Sequence, residues 1–473
     1  MYFSIETFLL LLFAFLFVIT LILNQASFEL SKFSLIEKVS DNFIETKNQI
    51  TQYRNLFAFF SVLVVLIYAG YYFTTKYHVE SHVFEWLNLI VRWAHVLFGI
   101  AWIGASFYFI FLENSLNRTE NLRDELAGNL WAIHGGGFYY VEKFKSAPSV
   151  LPKHLHWFKY EAYFTWLTGI LLLTLVYFMN AKAVMVDASV REISSTTAIL
   201  IGIGTMVLGW FIYDWMCRTS LLQKKKLFAM IGFIIVVVIS FFLSKMLSGR
   251  SAFILVGGLL GTVMAGNVFF CIIPSQKELV AAAKANRPVN PELGKIAGLR
   301  SLHNNYITLP VIFIMISNHF PATFGNKYNW AILAGLTIAS VAVRHFINLY
   351  EKGIYAKWII PFATIAILAS VIVTAPKPRK AARDLQPVSF LQVQPIIQKR
   401  CTNCHSSKPI DDVNKVAPNG IMFDTPEEIK KHADRILVRA VQTKTMPQGN
   451  KTGITEEERE LIGVWIEQGA LIK

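Results

Sequence analysis

The stretch WLNLIVRWAHVLFGIAWIG, residues 86–104, decides the architecture: Arg92 is its only charged residue, and His95 its only other titratable one. A helix needs about 20 mainly apolar residues to cross a bilayer core, and this stretch has that length and character. The rest of the chain fits it. The protein has 473 residues, 54% of them hydrophobic, 14% aromatic and only 16% charged, and its mean hydropathy is +0.45. Those values lie outside the range of a soluble globular domain and describe a polytopic membrane protein in contact with lipid.

Apolar runs long enough to be spans occur near 6–24, 57–74, 86–112, 160–180, 196–215, 226–246, 252–273, 304–319, 328–347 and 355–375, which makes ten. The run at 304–319 is short and contains Pro310. The first run lacks a basic leader and a small-x-small cleavage site, so it is expected to be a helix and not a signal peptide. If the loops alternate across the membrane, one side collects 21 Lys and Arg, among them Lys38, Arg118, Lys143, Lys225, Lys284 and Arg300, and the other only six, Lys76, Lys182, Arg191, Lys245, Arg250 and Lys327. The positive-inside rule makes the rich side cytoplasmic and places both termini outside.

The net charge of +14 has the same origin, because residues 386–473 carry 12 basic against 11 acidic residues and are nearly neutral. A nucleic-acid partner is therefore not expected. Four cysteines are too few for a disulfide framework; Cys217 and Cys271 lie beside or inside apolar runs and read as inert packing residues.

After the last span, APKPRKAARDLQP forms a Pro-rich basic linker. Beyond it the composition becomes that of a small soluble helical domain. Capping boxes at Thr425-Pro-Glu-Glu428 and Thr455-Glu-Glu-Glu458 announce two helices. The domain contains Cys401-Thr-Asn-Cys404-His405, the attachment signature of c-type haem, in which two thiols bond the porphyrin and the adjacent histidine meets the iron. Met446 follows about forty residues later in a loop before a proline, where its thioether suits the opposite axial position; His–Met ligation raises the reduction potential, as an electron acceptor requires. Covalent haem attachment takes place outside the bacterial cytoplasmic membrane, in agreement with the side that the loop charges assign. The expected fold class is thus all-α: a helical membrane domain of about ten spans followed by a small all-α, class I-like cytochrome c domain carrying one covalent haem c. The expected boundaries are 1–83 for two additional amino-terminal helices and their cytoplasmic loop, 84–375 for an eight-helix membrane domain, 376–388 for the linker and 389–473 for the cytochrome. The expected location is the bacterial inner membrane, multi-pass, with the cytochrome on the periplasmic side.

A tethered cytochrome needs a donor, and ionisable groups at membrane depth are costly and usually functional. Arg92 and His95 share a helix face at i and i+3. His134, His154, His156, His303 and His345 collect toward the cytoplasmic side, His345 beside Arg344. Each of these histidines alone also reads as a hydrogen-bonded interfacial residue. The run of Gly135, Gly136 and Gly137 reads either as backbone open to a ligand or as a flexible loop. The candidate catalytic residues are His95, Arg92, His134, His303, Arg344 and His345. A second, b-type haem or another redox centre in the membrane is left open, since it needs paired ligands at matched depth.

The segments NLWAIHGGGFYYVEKFK (129–145), LPKHLHWFKYEAYFTWLTGILLL (151–173), LRSLHNNYITLPVIFIMISNHFP (299–321), CTNCH (401–405) and MPQGNKTG (446–453) resemble the membrane-bound, cytochrome-c-linked urate oxidases, also called urate hydroxylases. The resemblance covers roughly residues 84–473 and leaves the first two helices as an addition. It implies eight membrane helices before a cytochrome c domain, and an oxidoreductase of purine degradation. The implied reaction is oxidation of urate to 5-hydroxyisourate, with electrons leaving through the haem toward a respiratory cytochrome c oxidase or a soluble cytochrome. Urate is a planar anion, so its site needs a cation with matched donors and a base near neutrality; Arg344 with His345, or Arg92 with His95, would supply both. Two other readings stay open on the residues alone: a quinol-oxidising protein that reduces its own cytochrome, and a purine transporter with a cytochrome module.

Overall fold

The computed structural model describes residues 80–375 and 386–472, except 120, 146, 149, 289, 412 and 413; upstream it describes only residues 20, 54, 58, 61, 64 and 65. Apart from residues 20, 58, 61, 64 and 65, the apolar runs at 6–24 and 57–74 lie outside the described residues, as does most of the linker. The chain divides into two compact units, Met1–Leu87 and Asn88–Lys473. The helix Glu80–Ser115 starts at the end of the first unit, and every later element belongs to the second.

Helices form at all eight expected positions from 86 onward. They are α1 (Glu80–Ser115), α2 (Tyr160–Leu173, continued by a π turn at Thr174–Phe178), α3 (Ser195–Arg218) and α4 (Lys225–Met246), then α5 (Gly249–Gly266, continued through a π turn at Asn267–Ile272 into Ile273–Lys284), α6 (Pro291–Ser317), α7 (Asn329–Tyr350) and α8 (Ile359–Thr374). Six of them, all but α6 and α8, are long and apolar enough to cross a membrane. α8 is apolar but shorter, and α6 is long but carries Arg300, His303, Asn304 and Asn305. α6 also starts thirteen residues before the expected 304, because Asn290 caps it by accepting from Glu292 N–H and Pro291 suits the first turn.

Alternation of the helices gathers the loops at two ends. At one end Ser248 N–H donates to Met185 O (2.9 Å), Asn329 Nδ2 to Phe324 O (2.9 Å) and Asn326 Nδ2 to Val373 O. At the other, Asn114 Nδ2 donates to Glu351 (2.8 Å). The second end is the one rich in Lys and Arg. α5 is the innermost span, with more than half of its apolar stretch buried. Small residues permit close contact there: a Cβ on Gly266 would fall 2.5 Å from the Trp210 ring, and one on Gly257 2.7 Å from Ile314. The core joins Tyr177, Met185, Leu243, Phe253, Leu255, Ile314 and Leu333. Outward-facing Trp93, Ile100, Leu208, Trp215 and Ile372 are all more than 60% exposed, the surface that lipid covers in a membrane protein.

The structure corrects the all-α expectation at one place. Residues 126–144, read from sequence as a loop, form an antiparallel hairpin of β1 (Leu126–His134) and β2 (Gly137–Phe144). His134 pairs with Gly137, so Gly135 and Gly136 are the two-residue turn, with φ of 58° and 80°. A tight hairpin of this kind needs positive φ at both positions, which explains the glycines without any ligand.

The carboxyl-terminal part is helical, with α9 (Phe390–Arg400), α10 (Pro426–Lys431), α11 (Ala433–Ile436, running into a π turn at Leu437–Gln442) and α12 (Glu456–Glu467). Both expected capping boxes are present, and a third, Ser389 with Gln392, starts α9. The first and last helices pack through Phe390 and Trp465, ring centres 5.5 Å apart, over Val393, Ile397, Ile436 and Ile462. This part rests on the basic-poor end of the bundle: Ala188 N–H donates to Gly449 O (3.4 Å), and a Cβ on Gly325 would fall 2.7 Å from Thr443 O.

Candidate functional site

Four consecutive residues of α6, His303-Asn304-Asn305-Tyr306, organise the polar interior of the bundle. Successive helical residues point about 100° apart, so four in a row face nearly every direction around the axis. A helix surrounded by neighbours can therefore address each of them from a single turn.

On one side His303 and Asn304 meet α3 and α5. Asn267, fully buried at the start of the π turn, donates through Nδ2 to Tyr213 Oη (2.9 Å) and to Asn304 Oδ1 (2.8 Å), and its Oδ1 accepts from Arg300 Nη1 (3.0 Å). Tyr213 then has its phenolic proton free for His303 Nδ1 (2.8 Å), whose ring stacks on Phe228. Arg300 Nη2 donates to Asp214 (2.7 Å), which also accepts from Arg218 Nε (2.7 Å). The buried guanidinium is thereby neutralised by a carboxylate of its own bundle. π turns recur at functional positions, because the extra residue re-aims side chains.

On the other side Asn305 and Tyr306 meet α7. Arg344, 1% exposed, donates through Nε to Asn305 Oδ1, and Asn305 Nδ2 donates to Asn348 Oδ1 (3.1 Å). The Arg344 guanidinium carbon lies 3.9 Å from the centre of the Phe107 ring. Arg344 Nη2 and Asn348 Nδ2 are buried without a hydrogen-bond partner among the described residues.

The other candidates fall outside this interior. His345 is exposed and bonded to Tyr306 Oη (2.8 Å), so it points away from Arg344 although adjacent in sequence. Arg92 is also exposed and donates to Asn88 (2.9 Å), while His95 turns into the α1–α2 contact, donating from Nδ1 to Thr165 O (3.0 Å) with Thr168 and Gly169 beside it. Among the described residues, none of the hydrogen-bond partners of His95 is a histidine. His134 sits at the exposed hairpin tip. The structure thus attaches His303 and Arg344 to opposite sides of α6, joins His345 to Tyr306 on its exposed side, and leaves Arg92, His95 and His134 away from it. Sequence reasoning passed over Arg300, which it counted among the loop charges, and Asp214, Tyr213, Asn267, Asn305 and Asn348. The signal available for them was the pair of asparagines in LHNNY, amides too costly to bury in a membrane helix unless hydrogen-bonded.

In the carboxyl-terminal part the thiols of Cys401 and Cys404 are free and unpaired at the end of α9. His405 Nδ1 donates to Ile421 O (2.9 Å), which fixes the ring and leaves Nε2 available, the arrangement a metal-ligating histidine takes. Burial lowers the His405 pKa, opposed by the Ile421 bond, and pushes the Cys401 thiol up to about 12. Met446 is pinned through its backbone: its N–H donates to Arg439 O (3.0 Å), and its carbonyl accepts from Arg459 Nη1 (2.8 Å). Two thiols, an oriented imidazole and an anchored methionine are the donor set that a c-type haem requires. Among the described residues no cluster of three or more His, Cys, Asp or Glu converges as a metal site of another kind.

Comparison with curated proteins and with solved structures returns no match. A family model does match: residues 81–375, well over half of the chain and the whole of the helical bundle, fit the one described as Urate oxidase N-terminal, and the chain belongs to that family.

Proposed function

We propose that this protein is a membrane-bound urate oxidase that delivers electrons to its own c-type haem. The family match over residues 81–375, in one chain with the thiols of Cys401 and Cys404, carries this reading. Urate with one water gives 5-hydroxyisourate, two protons and two electrons. In this reading Cys401 and Cys404 would bond a c-type haem and His405 and Met446 would ligate its iron, and the group would supply a one-electron acceptor between urate and a respiratory oxidase or soluble cytochrome. The α6 turn supplies one part of such a site, a planar cation for the anionic purine at Arg344, whose Nε is held by Asn305.

We place the protein in the bacterial inner membrane with ten spans, the eight described helices and the two upstream runs, and with the carboxyl-terminal part on the periplasmic face. Two observations support that orientation. The carboxyl-terminal part rests on the end of the bundle poor in Lys and Arg, and c-type haem is attached outside.

The test is an anaerobic visible spectrum of the purified, oxidised protein before and after urate, with a pyridine haemochrome assay to count and type the haem. Reduction of haem c by urate is expected, and the haem count shows whether a second centre lies between the purine and haem c. If urate leaves the haem oxidised and a quinol analogue reduces it, the reading is wrong.

A further inference from the structure

Arg344 is a buried cation of this bundle with no carboxylate in contact among the described residues. It is 1% exposed, lies within a membrane-spanning helix and makes no ion pair among the described residues. The carboxylate seven residues on, Glu351, accepts from Asn114 Nδ2 instead. A buried charge without a partner is strongly unfavourable, and a fold keeps one where something else supplies the opposite sign.

The hydrogen bonds around it are incomplete in the same sense. Arg344 and Asn348 stand at i and i+4 on α7, so both face Asn305 of α6. The Asn305 amide is used on both sides, its oxygen by Arg344 and its nitrogen by Asn348. What is left over is a pair of donors on one helix face, Arg344 Nη2 and Asn348 Nδ2, both buried and both without an acceptor. The Phe107 ring lies against the guanidinium and gives the site a flat apolar wall. Two unmet donors, an uncompensated positive charge and an aromatic face suit a planar anion with acceptor atoms along one edge.

We propose that Arg344 and Asn348 bind the anionic edge of urate, with Phe107 flanking it and Asn305 positioning both donors. This rests on the proposed function and adds the location of the substrate. Binding here completes both donors and neutralises Arg344. It also puts the substrate near the basic-rich end of the bundle, because Arg344 stands six residues, or about 9 Å, from the end of α7 at Tyr350, so electrons bound for a haem at the opposite end would need a second redox centre between the two.

The experiment uses the full-length haem-containing protein in detergent, under argon, with the haem fully reduced by dithionite so that bound urate cannot be consumed. Binding of radiolabelled urate is measured by equilibrium dialysis for wild type, Arg344→Gln, Arg344→Lys and Asn348→Ala. Loss of the charge in Arg344→Gln should weaken binding roughly 100-fold or more. Keeping the charge without the planar fork in Arg344→Lys should give a smaller loss, as should Asn348→Ala, roughly tenfold. Without urate, Arg344→Gln should melt at or above the wild-type temperature, since it removes an unpaired buried charge. If Arg344→Gln and Asn348→Ala both bind urate like wild type, the site is wrong and the proposed function stands. If wild type binds no urate, the proposed function itself falls.

Discussion

Arg300 and Arg344 lie one helix apart, 3% and 1% exposed, and the bundle treats them in opposite ways. Arg300 has Asp214 at 2.7 Å and Asn267 at 3.0 Å, so its charge is cancelled within the fold even though Nε lacks a partner. Arg344 has an amide on one side, a phenyl ring on another and no carboxylate among the described residues. The pairing of Arg300 with Asp214 is a structural solution, complete without a ligand. The isolation of Arg344 is incomplete by itself, and that separates a group that holds the bundle together from a group that holds something else.

The strongest way to break the contrast is to turn Arg300 into a second unpaired cation. Asp214→Asn removes its counter-charge and should cost about 3 kcal/mol or more. Labelling of Cys217, buried and close to Asp214 in sequence, by a thiol-reactive dye during heating would report the earlier unfolding. The double variant Asp214→Asn with Arg300→Gln should recover much of the loss. A smaller effect sharpens the division of labour: Tyr213→Phe leaves His303 Nδ1 and one Asn267 N–H without a partner, at a cost of about 1–3 kcal/mol. It should lower the melting temperature while leaving urate affinity unchanged, the reverse of Arg344→Gln.

The smallest effect carries the comparison out of the membrane. Arg400 Nε and Nη2 donate to Glu458 at 2.9–3.2 Å in a part-exposed setting. Burial opposes ionisation of Glu458, but Arg400 and the capping contact with Thr455 prevail and hold its pKa below the ordinary 4.5. Because the folded value is the lower one, the stabilisation is complete above 4.5 and disappears as pH falls through the folded value. Glu458→Gln should cost about 1 kcal/mol at pH 7 and nothing in strong acid, measured by urea unfolding at the two pH values.

Much of this fold was legible because an apolar run of about 20 residues has few alternatives. The hairpin was not. In NLWAIHGGGFYYVEKF apolar residues occupy both faces of the strands, which hides the two-residue alternation, and only the Gly135-Gly136 turn pointed to it. The interior networks were legible in kind but not in place. His303 and Arg344 stood out as ionisable groups, yet the partners of each depend on which helices are neighbours and on the angle each residue takes. Arg344 and His345 show the difficulty: adjacency in sequence suggested joint work, and about 100° of rotation sends one inward and the other out. Arg300 was misread for a related reason, since α6 begins thirteen residues before its apolar part and carries that arginine inside.

The turn His303-Asn304-Asn305-Tyr306 works like a four-way junction, with each exit assigned by rotation alone. Its weak point is therefore register more than chemistry. Adding one residue just before His303 would advance His303 onto the heading of Asn304 and shift each of the others likewise, so that every side chain would be presented to the wrong neighbour with none of the four residues altered. Drift in this family should then tolerate substitutions along α6 more readily than changes in its length.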